Sequence, residues 1–99
     1  MKPEILAEVT FLPTDRGGRK GPTAPDFFGC PLQIAKHLFD CRLLLTNVGS
    51  VRPGQSVTVP IKFLSPELVS SHLHEGAKFE LWEGGTIARG RILKVLPAV

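Results

Sequence analysis

Apolar and polar residues alternate along most of this chain, and the alternation breaks at clusters of glycine and proline. Over residues 4–12, Ile5, Ala7, Val9 and Phe11 share one face while Glu4, Glu8 and Thr10 share the other. That is the period of a strand with one buried side, and Pro13 ends it. The clearest repeat spans 56–63, with Val57, Val59, Ile61 and Phe63 inward and Ser56, Thr58, Pro60 and Lys62 outward. Pro60 has no N–H to donate, which predicts an edge, a bulge or a gap in the ladder at that point. A type II turn centred on Pro53-Gly54 leads into this strand.

Four further strands complete the pattern. One is predicted over 31–34 and another over 37–46, where Phe39, Cys41, Leu43 and Leu45 oppose Leu38, Asp40, Arg42 and Leu44. The last two cover 78–83 and 86–96, joined at Gly84-Gly85, a pair that accepts the positive φ of a tight hairpin. Phe79 and Leu81 point inward, and Arg89 and Arg91 share a face opposite Ala88, Gly90 and Ile92. Leu93 and Val95 then fall out of step, predicting a register change through a bulge. A short helical turn is expected over 66–74, with Ser65 as cap, Pro66 in the first helical position and Gly76 as the stop. Six short strands joined mainly by tight turns predict an all-β domain, a small barrel or a sandwich.

The connection from Pro13 to Pro31 interrupts this economy of turns. It carries Pro22, Pro25, Gly17, Gly18, Gly21 and Gly29, and is expected to run irregularly over the surface; connections of this length in small domains are often functional. Within it, Asp15 to Pro22 reads D-R-G-G-R-K-G-P, placing Arg16, Arg19 and Lys20 on glycine-rich backbone that can approach a partner closely. Arg89 and Arg91 on the last strand extend this into one basic patch if the loop folds over the final hairpin.

Composition adds limits. At 99 residues the chain is long enough for one domain with its own core, and ten glycines beside nine prolines argue against a helical bundle. The formal charge of +3 permits an acidic partner without the density of a dedicated nucleic-acid binder. Cys30 and Cys41 lack C-x-x-C spacing and a histidine set to complete a zinc site. They read as reduced structural thiols, with a disulfide open to them if their two strands pair. No apolar run matches a signal peptide or a membrane span, so a soluble cytoplasmic protein is expected.

Motifs for catalysis are sparse. There is no G-x-x-x-x-G-K-[ST] phosphate loop, so the glycines form no nucleotide cradle of that kind, and no cofactor is expected. His72, His74 and Glu75 are the one constellation an enzymatic or metal reading can name, but positions two apart diverge on a helix, which favours surface histidines. Ser70-Ser71 beside His72 has no nucleophile elbow. Trp82, the sole tryptophan, belongs either to a second core layer or to an exposed binding anchor.

Three stretches taken in order resemble a known family. A-E-V-T-F-L-P-T-D-R-G-G-R-K-G-P (7–22), R-P-G-Q-S-V-T-V-P-I (52–61) and F-E-L-W-E-G-G-T-I-A-R-G-R-I (79–92) are similar to the C-terminal, third domain of bacterial elongation factor Tu, and the likeness covers nearly the whole chain. The resemblance implies a closed six-stranded antiparallel Greek-key-type barrel that is not catalytic. It implies contacts to a protein partner, such as a GTPase domain or nucleotide exchange factor, and to the T arm of tRNA. It points to Gly17, Gly18 and Arg19 in the first motif and Glu83, Gly84 and Gly85 in the last, beside Arg16, Lys20, Trp82, Arg89 and Arg91. Where the family carries Tyr-Arg-Pro this chain has Gly29-Cys30-Pro31; Trp82 replaces an arginine, and the arginine after Glu-Gly-Gly is missing. Fewer cations shift the expectation from RNA toward a protein partner. With the family's GTPase and second domains lacking from the sequence, the resemblance is to a free-standing relative or to a piece beginning at Met1, acting as an interaction module or as a decoy for the factor's partners.

Overall fold

The computed structural model, which describes residues 2–97, carries out the alternation as six antiparallel strands: β1 (Ile5–Phe11), β2 (Phe27–Ile34), β3 (His37–Leu44), β4 (Ser56–Phe63), β5 (Lys78–Trp82) and β6 (Thr86–Val95). They close in the order β1-β4-β3-β2-β5-β6, with β6 returning to β1. Three consecutive strands and a fourth beside the far end of the run, β1-β4-β3-β2, make a Greek key. Closure removes free sheet edges. The barrel is filled by alternate residues of every strand, including Ile5, Val9 and Phe11 of β1, Leu32 of β2, Leu43 of β3, Val59, Ile61 and Phe63 of β4, Leu81 of β5 and Ile92 of β6.

β4 has the bounds its periodicity predicts, and the gap expected at Pro60 is there. Pro60 lies opposite Leu6 of β1, and the ladder to β3 begins only at Ile61. The turn before it also forms: Gln55 N–H donates to the Arg52 carbonyl at 3.0 Å with Gly54 at φ 85°. In β6, Ala7 faces Ile92 while Leu6 faces Lys94, so Leu93 is the extra residue of the expected bulge.

Several expectations need correction. β2 starts at Phe27, not at residue 31, so part of the predicted irregular excursion is strand. Its alternation of Phe28, Cys30, Leu32 and Ile34 runs through Pro31, which is accommodated because β2 meets β5 only at Leu32 and Gln33. β3 ends at Leu44, β5 at Trp82 and β6 at Val95, each a residue or two early. The helical stretch is α1 (Pro66–Val69) followed by a 3-10 turn at Ser70–His72. Ser65 makes no side-chain cap; its carbonyl accepts the Leu68 N–H at 3.0 Å instead. A second 3-10 turn, Thr14–Arg16, sits in the long connection. No helix among the described residues is long and apolar enough to cross a membrane.

Candidate functional site

The long connection folds against the last hairpin. Leu12 N–H donates to the Ile87 carbonyl at 2.9 Å, fixing the start of the loop beside β6, and the Pro13 carbonyl accepts both Arg16 and Gly18 N–H groups at 2.9 Å. Gly17 turns the chain at φ 92°. The Thr14 hydroxyl then holds the Arg19 carbonyl at 2.6 Å. This knot aims one side chain. The guanidinium of Arg19 lies 4.7 Å above the Phe28 ring, its Nε donates to the Gly21 carbonyl at 3.3 Å, and its Nη1 donates to both oxygens of Glu83 at 2.8 and 2.6 Å.

Glu83 belongs to the β5–β6 turn, closed by its N–H on the Gly85 carbonyl, with Gly84 and Gly85 at φ 74° and 158°. The two glycine-bearing motifs, far apart in sequence, therefore meet through one ion pair. That pair also spans the thin seam of the barrel, since Phe28 is on β2 beyond the point where β2 and β5 cease to pair. Trp82 crosses the same seam: half-buried, it donates its indole N–H to Gln33 Oε1 at 3.1 Å, and is neither a core residue nor a free anchor.

Two of the remaining sequence-picked cations are also answered by carboxylates. Register places Arg89 beside Glu80 and Arg91 beside Glu8, with N···O distances of 3.6 Å in each case. Arg16 and Lys20 lie exposed on the loop. A cluster that sequence reasoning missed is at the other end of β5. The two-residue turn Ala35-Lys36, with φ of 52° and 67°, closes β2–β3 without the glycine that would have announced it. Beside it, an open cleft of about 410 Å³ is lined by Gln33, Lys36, Lys78, Glu80 and Arg89. Lys36 and Lys78 form no ion pair among the described residues.

The histidines do not converge with Glu75. The His72 ring packs 5.9 Å from Phe39 and 6.1 Å from His37, while His74 Nδ1 lies 3.4 Å from the Glu75 backbone carbonyl. Among the described residues no three His, Cys, Asp or Glu side chains are grouped to hold a metal. A scan of the chain against protein-family models finds no match.

Unequal losses should follow from cutting the Arg19–Glu83 pair from its two ends. The Arg19 side chain is 21% exposed and Glu83 49%, so the ion pair itself is weakened by solvent, whereas the stack on Phe28 is sheltered. Arg19→Ala is expected to lower stability by about 1–1.5 kcal/mol and Glu83→Ala by no more than about 0.5 kcal/mol, measured by urea denaturation. Equal losses would show that the carboxylate alone holds the loop.

Proposed function

We propose that this chain is a non-catalytic binding module, built on the plan of the third domain of elongation factor Tu, that docks a protein partner. Its docking surface is the composite of residues 16–20 and the 82–91 hairpin. The observation that carries the reading is the meeting of the two motifs through Arg19 and Glu83. It gives a preformed surface with Arg16 and Lys20 at its rim and the half-buried Trp82 within the same hairpin, arginine and tryptophan being residue types enriched where proteins dock.

Charge favours a protein over RNA at this surface. An RNA backbone requires unmatched cations, each releasing counterions; Arg19 faces a carboxylate here, as do Arg89 and Arg91 farther along the hairpin, which leaves Arg16 and Lys20 as the exposed cations of the loop. A second reading, RNA binding, has its support elsewhere: Lys36 and Lys78, which form no ion pair among the described residues, line the cleft. A decoy that captures factors grasping elongation factor Tu uses the first surface in the same way. His72, central to any small-enzyme reading, is packed among rings.

Titration separates these readings. The labelled full chain is mixed with purified elongation factor Tu exchange factor and, separately, with tRNA, at about 50 and 200 mM salt. Protein docking predicts saturable exchange-factor binding that Arg16→Glu and Lys20→Glu together weaken about tenfold or more, with no tRNA binding at low salt. Binding of tRNA alone, lost steeply at the higher salt, would transfer the function to the cleft. Binding of neither would remove the elongation factor reading.

A further inference from the structure

The two cysteines face each other. Cys30 on β2 and Cys41 on β3 are direct register partners, both free thiols, and both in the barrel core at 7% and 1% exposure. Directly opposed residues of an antiparallel ladder have α-carbons about 4.5–5.5 Å apart, within the roughly 4.4–6.8 Å that a disulfide spans. From this placement we propose that Cys30 and Cys41 form a redox modification site, a dithiol that closes to an intramolecular cross-strand disulfide on reaction with a small-molecule disulfide.

The short ladder between β2 and β5 gives the reagent a way in. β2 pairs with β5 only at Leu32 and Gln33, so Cys30 lies beyond the end of that ladder, between Gly29, which has no side chain, and Pro31, which has no N–H. Arg19, stacked on Phe28 and tied to Glu83, covers this seam. Cys41 is deeper, and its thiol is held above the ordinary range by the adjacent Cys30 thiol and by burial. Cys30 is therefore the first to react.

The exchange balances in two steps. Cys30 gives up its proton and its sulfur attacks one sulfur of the reagent RSSR, breaking that S–S bond, forming the mixed disulfide and expelling one thiolate. Cys41 then loses its proton and attacks the Cys30 sulfur, expelling the second thiolate. Two protein thiols have been oxidised by two electrons, RSSR has been reduced, and the two protons leave on the two RSH molecules.

Oxidised glutathione serves as the probe on the full chain, followed by alkylation in denaturant and intact-mass and peptide analysis. Expected are a loss of two hydrogens, no alkylated cysteine, a linked pair of peptides carrying residues 30 and 41, and reversal by reductant. The oxidised form should melt about 5 °C or more above the reduced form, because the closed loop restrains the unfolded chain. Arg19→Ala should speed alkylation of Cys30 in the native protein several-fold; an unchanged rate would overturn the seam as the entry route. Oxidation is repeated during refolding from denaturant, so that access to the thiols does not limit it. A chain that still keeps both thiols, stops at the glutathione adduct, or melts lower when oxidised overturns the site.

Discussion

Gly18→Ala is expected to lower folding stability by about 2–4 kcal/mol, a fall in melting temperature of roughly 10 °C or more. A Cβ at this position would stand 1.9 Å from the Leu12 carbonyl oxygen and 2.7 Å from the Leu12 carbonyl carbon and the Pro13 oxygen. These are main-chain atoms, which no side-chain rotation can move aside. Leu12 N–H is bonded to β6, while the Pro13 carbonyl accepts from Arg16 and from Gly18 itself. Relief therefore requires the loop to lift from the barrel. Lifting it withdraws Arg19 from Phe28 and Glu83, so the same variant should abolish docking at the composite surface while Gly21→Ala, where an added Cβ meets nothing within 4 Å, leaves both stability and docking nearly unchanged. Thermal melts and the exchange-factor titration check the pair. A Gly18→Ala protein as stable as the parent would mean that the knot between Pro13 and Arg19 is not what shapes the surface.

That contrast also marks what the sequence disclosed and what it concealed. The D-R-G-G-R motif announced flexible backbone and positive charge, but not that Gly18 is required by a collision and Gly17 by its φ of 92°. Local patterning was legible wherever one face of a strand is buried along its whole length, as in β1, where Ile5, Ala7, Val9 and Phe11 are enclosed. It failed at the start of β2 because Gly29 and Pro31 are ordinarily strand breakers. Only the closed topology shows that Pro31 sits where its absent N–H leaves no ladder incomplete. The turn at Ala35-Lys36 was hidden for the opposite reason, since non-glycine residues occupy its left-handed positions.

The ion pairs were the least accessible. Arg89 with Glu80 requires the β5–β6 register, Arg91 with Glu8 requires barrel closure, and Arg19 with Glu83 requires the path of a loop with no periodicity to read. The histidines illustrate the converse. His72, His74 and Glu75 are neighbours in sequence, yet His72 finds its ring contacts in His37 and Phe39 across the barrel end. Sequence adjacency suggested a chemistry that the side-chain directions do not assemble.

Gly90→Ala, the second large effect, is expected to cost about 2 kcal/mol. In an ordinary strand, alanine for glycine would be favourable by about 0.5–1 kcal/mol through reduced backbone freedom, so the sign itself is diagnostic. Here an added Cβ would lie 2.3 and 2.4 Å from the Phe79 ring and 3.0 Å from the Glu8 carbonyl oxygen. Phe79 is the residue paired with Gly90 across β5–β6, and it is 4% exposed. The ring thus lies over the glycine of the neighbouring strand and fills the space that a side chain there would take. If this is the source of the loss, it must depend on the ring. Phe79→Leu alone should destabilise by leaving that space less well filled, but Gly90→Ala added to Phe79→Leu should cost far less than it does in the parent, giving a coupling of about 1 kcal/mol or more in a double-mutant cycle. Additive losses would instead assign the effect to the Glu8 carbonyl and to the β1–β6 ladder, where Val9 faces Gly90.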